Sequence, residues 1–181
     1  VKEFEVFDLP YIFDDYTELH RITQGPVGAS ILKKLEPKGI VGLSYWDNGF
    51  KSFSANTPIR TPADLKAKKL RIQSSKVLEE EIRALGGMPQ VMAFSEVYQA
   101  LQTGVIDAGF TGVEAANSRK FYEVQKFGVA SNIILAFDNL VVNPAWWKGL
   151  PADVRGAIQA AADKAVARSI RKSDGIPPEN I

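Results

Sequence analysis

Residues 69–110 read KLRIQSSKVLEEEIRALGGMPQVMAFSEVYQALQTGVIDAGF, and this stretch decides the fold class. Lys69-Leu70-Arg71-Ile72-Gln73 alternates polar and apolar side chains, the period of a strand. After Ser74-Ser75, the positions Val77, Leu78, Ile82 and Leu85 fall at helical spacing until Gly86-Gly87. The unit then recurs in kind. The short run Gln90-Val91-Met92-Ala93 leads into a helix from Ser95 with Val97, Ala100 and Leu101 on one face, Gly104 stops it, and residues 105–110 form the next strand. Strands that alternate with helices imply a parallel sheet. Ligands of such sheets sit beyond the carboxyl ends of the strands, which is where Arg71, the Ala93-Phe94 corner and Thr111 fall. A guanidinium can hold a carboxylate through two parallel hydrogen bonds while a ring covers the apolar body, so this combination points to a small organic anion.

Working outward, residues 1–9 read as a mixed extended segment ending at Pro10. Asp14-Asp15-Tyr16 opens a helix carrying Leu19 and Ile22, and residues 26–34 form a second helix that ends near Gly39. Residues 40–46 are a continuous apolar run, hence a buried strand; Asp47-Asn48-Gly49 is turn chemistry, and residues 50–54 alternate as a further strand. Thr61-Pro62-Ala63-Asp64 starts a short helix, with Thr as cap, Pro in the first turn and an acid near the positive end. Residues 112–120 are helical, and 128–142 hold two extended pieces. Trp146 and Trp147 are expected to cover core or a joint between lobes. The longest helix runs from about 152 to 171, with Val154, Ile158, Ala161, Ala165, Val166 and Ile170 on one face.

Composition narrows the function without choosing it. The chain has 181 residues, 45% of them hydrophobic and 24% charged, with net charge +1. A sizeable core is expected, and electrostatics select no polyanionic partner. Basic residues are dispersed rather than striped, against nucleic-acid binding. No apolar run approaches the ~18 residues of a membrane span. There is no cysteine and one histidine, which leaves no disulfide, no Ser-His or Cys-His pair and no His-rich metal spacing. No Gly-rich phosphate loop is present either, so neither an enzyme nor a cofactor is implied.

Several segments closely resemble the solute-binding proteins of TRAP transporters, the DctP type. They are Thr61-Pro62-Ala63-Asp64-Leu65-Lys66, Lys69-Leu70-Arg71, the run from Met92-Ala93-Phe94-Ser95 through Gly104-Val105-Ile106-Asp107, and Phe121-Tyr122-Glu123-Val124. The resemblance implies an α/β, two-lobed fold like the type II periplasmic binding proteins, with parallel-rich sheets flanked by helices. Compared with that pattern, the chain reads as a fragment lacking the N-terminal third, with the first lobe incomplete. Residues 1–50 would be part of lobe I, 51–136 lobe II, 137–172 a return to lobe I with the long helix, and 173–181 a frayed tail. An incomplete lobe would leave apolar surface open to non-native pairing with another chain.

The resemblance also implies roles. Arg71 matches the arginine that pairs with the ligand carboxylate, although a strand arginine taken alone reads as a solvated edge residue. Phe94 precedes a helix, where an aromatic usually staples its own helix; in the family it packs on the ligand. Thr111 stands where many members carry Asn, so ligand identity is open. Lys51 matches an arginine of some members and reads equally as a looser anion contact or a surface residue. Trp46 reads first as core packing and second as a cleft residue; Asn48 and Asn139 are weaker candidates. His20 and Glu79-Glu80-Glu81 with Arg83 read as solvated helix faces, the acidic run alternatively as a docking surface for a membrane partner. The implied function is an extracytoplasmic, periplasmic protein, made with a signal peptide. It would capture a small organic acid and deliver it to TRAP membrane subunits, without catalysis and with no metal assigned. A sensor domain of the same fold is the alternative.

Overall fold

The computed structural model describes residues 1–173. Its centre is one six-stranded sheet in the order β3 (Met88–Val91), β2 (Lys69–Ile72), β4 (Ala108–Gly112), β1 (Val41–Ala55), β5 (Phe127–Val129), with β6 (Leu135–Val142) also paired to β1. The organising stretch folds in the order read, with β3 at 88–91 rather than 90–93, α4 from Val97 rather than Ser95, and β4 at 108–112 rather than 105–110. β2 is parallel to both β3 and β4, joined by α3 (Lys76–Ala84) and α4 (Val97–Thr103). Ser75 caps α3 by accepting the Leu78 amide, and Gly104 ends α4 in the left-handed region. The sheet as a whole is mixed, not parallel-rich, because β1 runs antiparallel to β4, β5 and β6.

β1 also corrects the reading of residues 40–54 as two strands and a turn. It is one strand of 15 residues. Residues 41–50 pair with β6 and residues 51–55 with β4 and β5, so neither half is free to fold back on the other. The Asp-Asn-Gly run is absorbed as an irregularity between Asp47 and Gly49, with Gly49 at φ +75°. The bend falls where the strand changes partners.

The expected incomplete first lobe is corrected as well, since both lobes of the α/β fold are represented. On one side α1 (Tyr16–Thr23) and α2 (Pro26–Lys33) join the first half of β1, β6 and α7 (Ala152–Ser173). Phe7, Phe13, Leu19 and Leu135 form the buried cluster there. On the other side Leu70, Ile72, Leu78, Ile82, Ala108 and Phe110 form a larger core, and Val97, Leu101, Ile106 and Phe121 a second one beneath α4.

Residues 1–9 are not extended. Lys2–Asp8 is a 3-10 helix, in which side chains three apart share a face. Phe4 and Phe7 therefore both reach Tyr45, at 6.5 and 6.2 Å between ring centroids, and Phe7 meets Phe137 edge-on at 4.6 Å. The short helix α6 (Pro144–Gly149) leaves Trp146 51% exposed, with its ring 6.2 Å from that of Trp147, so Trp146 does not cover core as expected. Helix α7 starts where expected and lies along β1, with Gln159 Nε2 donating to the Leu43 carbonyl at 3.3 Å. Residues 174–181, most of the expected tail, lie outside the described residues.

Candidate ligand-binding site

β2 presents alternate side chains to opposite faces, so Arg71 and Gln73 share one. That face looks into a cavity of ≈ 690 Å³ between the two halves of the sheet. Arg71, Phe94, Thr111, Lys51, Trp46, Asn48 and Asn139, the seven residues singled out from sequence, all line it. They arrive from five places: β2, the corner after β3, the end of β4, the bend of β1 and the middle of β6.

Arg71 is only 7% exposed, so it is not a solvated edge residue. Its Nε and Nη2 both donate to the Met92 carbonyl, at 3.1 and 2.9 Å, and its Cζ sits 5.4 Å from the centroid of the Phe94 ring. Burial lowers its pKa, yet a guanidinium stays charged throughout the ordinary pH range. The fork is thus held rigid along one edge, leaving the Nη1/Nη2 edge for another acceptor. Phe94 has two sets of neighbours. It packs against the cluster under α4, with the Phe121 ring centroid 5.9 Å away, and it also lines the cavity.

Lys51 is 5% exposed and donates to Asp8 Oδ1 at 3.0 Å; Gln73 Nε2 donates to the same oxygen at 3.3 Å. The surface reading of Lys51 therefore fails. Desolvation pushes its ammonium below the usual range; Asp8 and Glu81 oppose this and Arg71 adds to it. Trp46 is 40% exposed at the cavity edge, so it belongs to the cleft rather than the core. Asn48 Nδ2 donates to Asp138 Oδ2 at 2.9 Å across the β1–β6 pair. A Cβ on Gly112 would stand 2.5 Å from the Asn48 carbonyl, so glycine is what lets the end of β4 reach the β1 bend.

Sequence reasoning missed several wall residues. Gln73 was legible, being two positions from Arg71 on one strand. Asp8, Glu114, Ala115 and Ser118 carried no such signal, because their position depends on the N-terminal 3-10 helix and on α5 (Val113–Ser118) folding over the cavity. His20 is a plain correction. It is buried, with Nε2 2.8 Å from Asp47 Oδ2, because α1 packs beside the bend of β1. Glu81 is another. Both its carboxylate oxygens are buried without a hydrogen-bond partner, and desolvation pushes its pKa up to about 7. Among the described residues, no group of three or more His, Cys, Asp or Glu is placed to hold a metal ion, and no helix is long and apolar enough to cross a membrane.

Comparison with known proteins gives the family. The model of the bacterial extracellular solute-binding proteins of family 7, DctP, matches residues 1–174. The chain belongs to family 7. The match runs through residues 1–174 and so takes in both lobes, against the expectation of an incomplete first lobe. This DctP-family chain is 54% identical over 179 residues to the C4-dicarboxylate-binding periplasmic protein DctP of Rhodobacter capsulatus, covering 99% of this chain and 53% of that one. It superposes on a TRAP periplasmic solute-binding protein from Shewanella oneidensis with bound succinate, with TM-score 0.88 and 41% identity over 96% of this chain and 56% of the other. A Pseudomonas aeruginosa counterpart with bound L-malate gives TM-score 0.89 and 28% identity over 97% and 61%. The chain spans about half the length of the curated relatives it matches.

Proposed function

We propose that this DctP-family chain is the ligand-capturing part of an extracytoplasmic, periplasmic solute-binding protein that takes up a small organic acid and delivers it to the membrane subunits of a TRAP transporter. The observation that carries the reading is the buried Arg71 fork. One edge is fixed on the Met92 carbonyl and the ring of Phe94 lies beside it, with Thr111 on the same cavity wall. Relatives named for C4-dicarboxylates and a similar structure holding succinate support an acid as the ligand.

In this reading the carboxylate takes the open Nη1/Nη2 edge of Arg71, the geometry in which a guanidinium binds best. Phe94 covers the carbon chain, Thr111 supplies a hydroxyl, and Lys51 adds positive potential from behind its Asp8 partner. Trp46, Asn48 and Asn139 face the acid from the opposite wall. Residues 51–136 and residues 1–50 with 137–172 act as the two lobes. They close over the acid, expel water and so strengthen the ion pair. The closed shape is what the membrane subunits recognise. Arg71→Lys tests this directly, since it keeps the charge and removes the fork. Calorimetric titration of the intact protein with succinate is expected to show affinity lower by about 10- to 100-fold. Unchanged affinity would overturn the reading.

A further inference from the structure

Behind Arg71 lies a group of buried charges that continues beyond the cavity wall. Asp8 Oδ1 accepts from Lys51 Nζ at 3.0 Å and from Gln73 Nε2 at 3.3 Å, and all three residues line the cavity beside Arg71. Glu81 of α3 lines a separate, apolar groove with Leu9, Pro10, Tyr11, Leu85 and Ile133. Both its carboxylate oxygens are buried without a hydrogen-bond partner. The N-terminal 3-10 helix, β2 and β3 pack against α3. The first brings the charge of Asp8 to bear on Glu81, and its Glu5 accepts the Lys76 amide at 3.3 Å. β2 holds the buried Arg71 and an exposed Lys69, and β3 has no charged side chain. Lys51 of β1 is the cation that acts on Glu81. On α3 itself Lys76 pairs with Glu79 and Arg83 with Glu80.

We propose that Glu81 takes up a proton when the cavity takes up its acid, so that capture is proton-linked; the inference rests on the function proposed above. Charge balance is the reason. Arg71 and Lys51 bring two positive charges and Asp8 one negative, so the buried group is net positive while Glu81 is neutral and balanced once Glu81 is ionised. A carboxylate arriving at Arg71 is matched only in the first case. In the second it leaves one negative charge over, away from water, where like charges repel most strongly. The other charges near the cavity are placed differently. Asp47 meets His20, while Asp138, Glu114 and Arg119, whose Cζ is 5.5 Å from the Phe94 centroid, are exposed and screened by solvent. Linkage sets the direction. Burial holds the Glu81 pKa up at about 7 without the acid, and a bound carboxylate raises it further, so affinity falls as pH rises through and above 7.

The test is calorimetric titration of the intact protein with succinate at about pH 7 and about pH 8.5, where the acid itself is ionised. Affinity is expected to fall about threefold between them, and two buffers of unequal ionisation enthalpy at about pH 7.5 are expected to show roughly a third of a proton taken up per succinate. Glu81→Gln, neutral at every pH, is expected to take up no proton and to bind about threefold tighter than the parent at the higher pH. A parent with neither pH dependence nor uptake overturns the inference and leaves acid capture standing. Uptake that persists in Glu81→Gln also overturns it, since the proton then goes elsewhere. If that variant fails to fold, the Glu81 carboxyl carbon of the labelled parent, titrated by NMR with and without succinate, decides. Its midpoint is expected to rise by about 0.7 pH unit on binding, and an unmoved midpoint overturns the inference. No binding of succinate at either pH sinks both readings.

Discussion

The two walls of the cavity are built to different standards. The wall carrying Arg71 rests on Leu70, Ile72, Leu78, Ile82 and Ala108, all without solvent exposure, and its arginine is tied to a backbone carbonyl. The facing wall, the first half of β1 with β6, has two register irregularities, a half-exposed Trp46 and an exposed Asn48–Asp138 contact. A sealed wall can hold a cation in one orientation against the cost of desolvation, whereas a bent and solvated one can shift by fractions of an ångström at little cost. Under the proposed function, grip belongs to the first wall and adjustment to the second.

The largest expected effect that would break this contrast is on stability. Leu70→Ala removes a fully buried side chain beside Arg71 and is expected to cost about 3 kcal/mol in urea unfolding. Val141→Ala on the facing wall, at a position 44% exposed, should cost under about 1 kcal/mol. Similar losses at the two positions would remove the distinction between the walls.

An intermediate effect concerns pH. Glu81 lies under the gripping wall with its carboxylate oxygens buried, and desolvation first, then Asp8, push its pKa up to about 7, with Lys51 opposing. Between the ordinary carboxylate value near 4.5 and about 7, the folded chain keeps a proton that the unfolded chain releases. This group's contribution to stability therefore falls as pH rises through that window. Glu81→Gln should stabilise the protein at pH 8 by about 1–2 kcal/mol and leave it nearly unchanged at pH 5. Denaturant midpoints at the two pH values decide it, and a gain that is the same at both would show that Glu81 does not titrate there. The smallest effect is on the adjustable wall, where Asn48→Ala breaks an exposed bond to Asp138 and should cost about 0.5 kcal/mol. A loss several times larger would show that this wall is as rigid as its partner.

Local pattern alone was enough for much of the molecule. The period-two run at Lys69–Ile72, the helical spacing that follows, the Thr61–Asp64 capping pair and the αL glycine after α4 are near-neighbour effects, and each folds as the residues dictate. The ring of candidate residues could be named too, because strand alternation and the run from Met92 to Asp107 place Arg71, Phe94 and Thr111 at strand ends. The bend of β1 was misread as a turn, since the choice depends on which strands are available to pair with its two halves. His20, Glu81 and Asp8 were misjudged or missed for the same kind of reason, as a polar residue on a short helix is solvated or buried according to what packs over it.

The amino-acid order by itself determined the α/β alternation, the chemistry of the gripping wall and the absence of cysteine chemistry, because these rest on side-chain type and on spacings of four residues or fewer. Only the tertiary structure decided that β1 runs unbroken through both halves, that Lys51 is buried on Asp8, and that Arg71 and Arg119 meet across one ring. Those contacts join residues tens of positions apart, and whether they form depends on the packing of the whole chain.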